Sequence, residues 1–115
     1  MISKALVINS NSSNLDCLDI FFSCMEKFVG AAFFSKVYLF IDPASHNFPP
    51  YAEVVNYKPE DNFRGQMISC LESVSEDVIL YCNEDYLFYE RANLELAEEL
   101  LNEIADNDFS FVKFV

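Results

Sequence analysis

The stretch Asp77-Val-Ile-Leu-Tyr-Cys-Asn-Glu-Asp-Tyr-Leu-Phe-Tyr89 decides how this chain is read. Its apolar run, Val78 to Cys82, is long enough for a buried strand and ends abruptly in Asn83-Glu84-Asp85, after which aromatics resume. Buried parallel strands read as near-continuous apolar runs, and open α/β sheets hold ligands just beyond the carboxyl ends of their strands. Adjacent acids at that edge are unfavourable through desolvation and mutual repulsion unless a cation, a hydrogen-bonding ligand or water offsets them. The turn at 83–85 is therefore the first place to look for a site.

Working outward, strand and helix patterns alternate. Ala5 to Ile8 is a short apolar run closed by the polar loop Asn9-Ser10-Asn11-Ser12-Ser13. Ser13 and Asp16 have the spacing of a capping box, and Leu18, Phe21, Phe22, Met25 and Phe28/Val29 then repeat at helical intervals up to a stop at Gly30. Val37 to Ile41 predicts a second strand ending in Asp42-Pro43, and the segment 44–52, with Pro49-Pro50, predicts a loop. Val54, Val55 and Tyr57 predict a shorter third strand. A second helix is expected from about Phe63 to Val74 with Met67, Leu71 and Val74 inward, although Gly65 weakens its first turn.

After the opening strand, Asn93 caps an acidic amphipathic helix, Leu94 to about Ala105, with Leu94, Ala97, Leu101 and Ile104 as its buried stripe. Its glutamates read as a solvated face. Phe109 to Val115 predicts a last strand, with Ser110 and Lys113 facing outward. This alternation implies an α/β, Rossmann-like, mainly parallel sheet with helices on both faces. Residues 1–115 are expected to form a single domain. Either the last strand is tolerated as a terminal one or the chain is the front part of a larger domain, truncation at the C-terminus being the favoured expectation; an exposed last strand would also allow self-association.

Composition narrows the function classes. Hydrophobic content of 52% with 12 Phe and 6 Tyr excludes disorder. A net charge of −12, with only 7 Lys and Arg, argues against nucleic acid and anionic membrane surfaces as partners. No apolar stretch approaches the ~18 residues of a membrane span, and the start lacks the pattern of a secretory signal. Cys17, Cys24, Cys70 and Cys82 form no CxxC pair, and a lone His46 offers no metal cluster, so packed reduced thiols and a cytoplasmic location are expected. With glycine only at 30 and 65, the chain has neither GxGxxG nor a P-loop. One histidine without an evident partner supplies no nucleophile system.

Four segments together resemble the nucleotide-binding front half of a GT-A-type glycosyltransferase. They are Leu6-Val-Ile-Asn-Ser-Asn11, Tyr38-Leu-Phe-Ile-Asp42, Asn62-Phe-Arg-Gly-Gln66 and the strand leading to Asn83-Glu84-Asp85-Tyr86-Leu87-Phe88. The last looks like that family's acidic metal-binding turn, here either Asn-x-Asp or the shifted pair Glu84-Asp85. The resemblance implies a nucleotide-diphosphate sugar as partner, with Mn²⁺ or Mg²⁺ held by Asp85 and Glu84 and bridging the two phosphates. Such hard cations favour carboxylate oxygen and complete their shell with phosphate and water. It further implies Asn9, Ser10 and Asn11 cradling the nucleotide, Asp42 toward base or ribose, Glu84 toward metal or ribose, Arg64 toward the diphosphate, and Gln66 toward the base edge. The acceptor half and any catalytic base lie beyond this chain, so no base is assigned and the isolated chain is expected to be inactive.

Each candidate also has a plain structural reading. Glu84 and Asp85 fit a solvated turn, Asp42 an Asx-type turn, and Arg64 an ion pair with Glu60 or Asp61. Tyr86, Phe88 and Tyr89 fit either pocket walls beside the acids or packing. His46 reads as a loop bystander. The alternative function is a flavodoxin-like or receiver-like binding or signalling module. A receiver needs acids after its first strand, where Asn9-Ser10-Asn11 stand instead, whereas a flavodoxin-like loop is compatible with Ser10, Ser12 and Ser13.

Overall fold

A computed structural model of the protein describes residues 2–107. The strands are β1 (Lys4–Asn9), β2 (Lys36–Ile41), β3 (Ala52–Asn56) and β4 (Val78–Asn83), and the helices are α1 (Leu15–Phe28), α2 (Phe63–Leu71) and α3 (Leu94–Asp106). The sheet runs β3-β2-β1-β4, and every pairing in it is parallel. The arrangement is an α/β, Rossmann-like one, as the alternating pattern predicts. The strand expected at Phe109–Val115 lies outside the described residues.

The apolar runs of β1 and β2 bury both faces. Leu6, Ile8, Leu39 and Ile41 pack beneath Leu18, Phe21, Phe22 and Met25 of α1. Ala5, Val7, Tyr38 and Phe40 face the other way, under Cys70 and Met67 of α2 and beside Tyr57. Burying one such large side chain stabilises the fold by about 1.5–3 kcal/mol, so these two layers hold the sheet together. β4 is less covered, with Ile79 and Tyr81 more than a third exposed. The stripe of α3 is only partly realised: Leu101 is buried, whereas Leu94 is exposed. Lys4 pairs with Glu98 and ties α3 to the start of β1.

The helix starts and stops correct two expectations. Ser13 does not cap the first helix. The side chain of Asn11 accepts a hydrogen bond from the Ser13 N–H at 2.9 Å and starts a 3₁₀ turn, Ser12–Asn14, that leads into α1. Asp16 instead accepts from the adjacent Cys17 N–H. The reciprocal pair fails because the chain makes an extra turn first. α2 ends at Leu71, with Leu71 exposed rather than inward. At the far end of α1 the Gly30 stop holds: Gly30 has φ 90°, and its N–H donates to the Met25 carbonyl at 2.8 Å.

Candidate functional site

Strand order places the site. From β1 the chain crosses to β2 and on to β3, then returns past β1 to β4, so the direction reverses between β1 and β4. At such a switch point the loops leaving neighbouring strands diverge and open a crevice. The register pairs Asn9 with Asn83, which brings the two loops side by side. Between them lies a cleft of about 310 Å³, walled by Asn9, Ser10 and Asn11 on one side and by Asn83, Glu84 and Asp85 on the other. Phe63 and Gln66 of α2 close the third side, and Tyr57 also lines it. That volume is at the low end for small-molecule sites.

The acidic turn is tight. Tyr86 N–H donates to the Asn83 carbonyl at 3.1 Å, which leaves Glu84 and Asp85 at the two central positions. They take different environments. Glu84 is only 9% exposed, and its Oε1 accepts from the Asn14 side-chain amide at 2.5 Å. Its other oxygen has no protein partner among the described residues. Asp85 is exposed. That second oxygen is not closed off from water, so solvent or a ligand entering the cleft can satisfy it. Asn14, which sequence reasoning missed, is the residue that holds it, and a polar residue inside a capping segment carries no signal for so distant a contact.

The loop after β1 is occupied with its own geometry. Ser12 donates from both its N–H and its Oγ to the two carboxylate oxygens of Asp42, each at 2.6 Å. Asp42 therefore clamps the 3₁₀ turn to the end of β2 and does not line the cleft. Its tie is to the neighbouring loop rather than to its own, as a plain Asx turn would be. Asn11 lines the cleft, but its side-chain oxygen is engaged by Ser13. Tyr57 donates its hydroxyl to the Ser10 carbonyl at 2.6 Å, which fixes the floor of the cleft to the segment after β3. Burial, aided by the negative charge of Asp42, raises the Tyr57 hydroxyl pKa, so it remains a donor.

Of the other sequence candidates, Gln66 reaches the cleft. Its side-chain N–H₂ donates to the Asp61 and Lys58 carbonyls at 2.9 and 3.3 Å, so the amide is oriented by the loop before α2. Arg64 is exposed, is not part of the cleft wall, and forms no ion pair among the described residues. Phe88 turns into the core, with its ring 5.9 Å from that of Phe21. Tyr86 and Tyr89 are exposed and lie off the cleft. His46 is more than a bystander, because it contacts Asp19 at 2.9 Å and pins the loop after β2 to α1.

The chemistry of the cleft is that of hard oxygen donors. It is lined by two carboxylates and several amides, with no Lys or Arg. Among the described residues no group of three or more His, Cys, Asp or Glu side chains is placed to hold a metal ion unaided. A cation here would use Glu84 and Asp85 and draw its remaining ligands from water and a bound anion, which is how Mg²⁺ usually sits in proteins. The residues present fit that kind of site and not a closed protein cage. All four cysteines are free, with Cys70 and Cys82 buried and burial raising both thiol pKa values, so neither of these two is a ready nucleophile. No helix of the described residues is long and apolar enough to cross a membrane. No family model matches the chain, and no curated protein matches it.

Proposed function

We propose that this domain binds a nucleoside-diphosphate sugar, with a divalent cation (Mn²⁺ or Mg²⁺) at Glu84 and Asp85, and serves as the donor-binding half of a GT-A-type glycosyltransferase. The observation that carries the reading is Glu84: a carboxylate 9% exposed, with Asn14 as its protein donor among the described residues, in the lining of the switch-point cleft. A diphosphate is strongly anionic, and this cleft has carboxylates and no basic side chain, so anion binding requires a positive charge brought in with the ligand. The cation supplies that charge and would stabilise a departing diphosphate.

The chain's own residues bind and orient. Asn14 keeps Glu84 turned inward, and Tyr57 holds the Ser10 carbonyl so that the loop after β1 stays open beside the acids. Asn9 and Asn83 offer amide groups on either side. Asp42 acts through the 3₁₀ turn and not on the ligand. Transfer of the sugar needs an acceptor site and a base, neither of which has a candidate among these residues.

A flavodoxin-like use of the cleft is less well supported. Phosphate binding in a loop depends on free N–H groups, and those of Ser12 and Ser13 already serve Asp42 and Asn11. Calorimetric titration of UDP and GDP, with and without Mn²⁺, tests the proposal. Metal-dependent binding that is lost in Glu84→Gln is expected. Binding of no nucleoside diphosphate, or binding indifferent to metal, would overturn it.

A further inference from the structure

We infer that the base of the nucleotide stacks on Phe63, at the α2 side of the cleft, and not at the end of β2; this rests on the nucleotide-diphosphate reading of the same site. Phe63 is 64% exposed although it stands in the wall of an otherwise polar cleft. It belongs to neither core layer, and no other aromatic ring packs against it among the described residues. A large apolar side chain left open to water at a concave site gains by being covered with a flat apolar face. Every base has such a face, and stacking on an aromatic side chain is tolerant of its identity.

The alternatives nearby are spent. Asp42 does not line the cleft, and each of its oxygens accepts a bond from Ser12, so the acid at the end of β2 serves the 3₁₀ turn and not a base edge. Tyr57, the other aromatic lining the cleft, is 9% exposed and bound to the Ser10 carbonyl. Beside Phe63, one turn along α2, Gln66 has its N–H₂ group committed to the Asp61 and Lys58 carbonyls. Its side-chain oxygen has no partner among the described residues and is the acceptor for a base N–H. The acids at 84–85, on the wall formed by the turn after β4, would hold the cation and, through it, the phosphates. The ligand therefore spans the cleft, with its base on α2 and its charged end on the β4 turn.

The experiment separates this inference from the reading beneath it. UDP, GDP, ADP and inorganic pyrophosphate are each titrated with Mn²⁺ into the wild-type protein, Phe63→Ala and Phe63→Tyr. Since Phe63 is exposed, both variants should fold. At least one nucleoside diphosphate is expected to bind roughly tenfold or more tightly than pyrophosphate, within the range that base stacking provides. Phe63→Ala should reduce that preference to about twofold or less without weakening pyrophosphate, and Phe63→Tyr should keep it. If the nucleotides and pyrophosphate bind alike to the wild type, or Phe63→Ala retains the preference, the base does not sit on Phe63 and only the diphosphate site stands. If neither pyrophosphate nor any nucleotide binds, the diphosphate reading itself falls and takes this inference with it.

Discussion

Asn14 and Glu84 meet across 70 positions of sequence, and the contact sets the character of the cleft. Removing the donor leaves a mostly buried carboxylate with no protein partner, a change that typically costs about 1–3 kcal/mol. Asn14→Ala should therefore lower stability by that order in urea melts at pH 7, and in the same protein weaken Mn²⁺-dependent nucleotide binding. A second residue-scale effect lies at the other end of β4. Asp77 accepts from the Ser3 N–H and Oγ at 3.0 and 3.1 Å, and these bonds, the backbone one foremost, hold its pKa below the ordinary 3.8.

A carboxylate depressed in the folded state contributes stability that is complete above its unfolded pKa and is lost as pH falls through the folded one. The stability gap between the wild type and Asp77→Asn should thus be full at pH 7 and close as pH drops below 3.8. Denaturant melts of both proteins across that range check it, and a gap that widens in acid would contradict the assignment. Cys82 behaves differently. Burial pushes its thiol up to about 11, so at pH 8 it should resist alkylation in the native protein and react only after unfolding. Peptide mapping after brief iodoacetamide treatment reads this directly.

At the scale of elements, the ends of the helices are the sensitive points. Asn62 accepts from the Gly65 N–H at 2.8 Å and caps α2, the helix that brings Phe63 and Gln66 to the cleft. Asn62→Ala should cost about 1 kcal/mol and weaken ligand binding more than an equal destabilisation elsewhere, because it loosens one wall. Asn93 caps α3 in the same way, through the Leu96 N–H at 3.1 Å, but at a distance from the site. Asn93→Ala is the matched control, expected to lower stability alike and leave binding intact. Gly30 tests the stop of α1. An added Cβ there meets no atom within 4 Å, so any loss in Gly30→Ala comes from the φ of 90° alone, about 1–2 kcal/mol.

For the whole molecule, charge dominates. The net charge is −12, and the Lys or Arg ion pairs among the described residues are Lys4–Glu98 and Lys36–Glu53. Most acids are therefore unpaired, and self-repulsion opposes the compact state. Added salt screens exposed charges over about 10 Å at 0.1 M, so the thermal midpoint should rise as NaCl increases from low to physiological strength. Mn²⁺ at low millimolar concentration should raise it further in the wild type than in Glu84→Gln. Equal shifts in the two proteins would mean general screening and no occupied cation site.

Much of this fold was legible in the chain because strands buried on both faces must be apolar throughout. That requirement makes Ala5 to Ile8 and Val37 to Ile41 continuous runs, and the Leu18-Phe21-Phe22-Met25 spacing marks α1 equally plainly. The acidic turn could also be located, although β4 is covered less fully than the run Val78 to Cys82 suggests, because an apolar run that ends in Asn-Glu-Asp marks a strand's carboxyl end. Strand order is another matter, since alternation alone is compatible with several orders, and only the packed sheet puts β4 beside β1. From that one adjacency follow the meeting of the 10–14 loop with the 83–85 turn, the burial of Glu84 against Asn14, and the exposure of Asp85. The diversion of Asp42 to Ser12 and the placing of Phe63 in the cleft wall are also tertiary facts. Local sequence records which face of an element is apolar, whereas the partner of a polar side chain is chosen by whichever distant group the fold delivers within hydrogen-bonding reach.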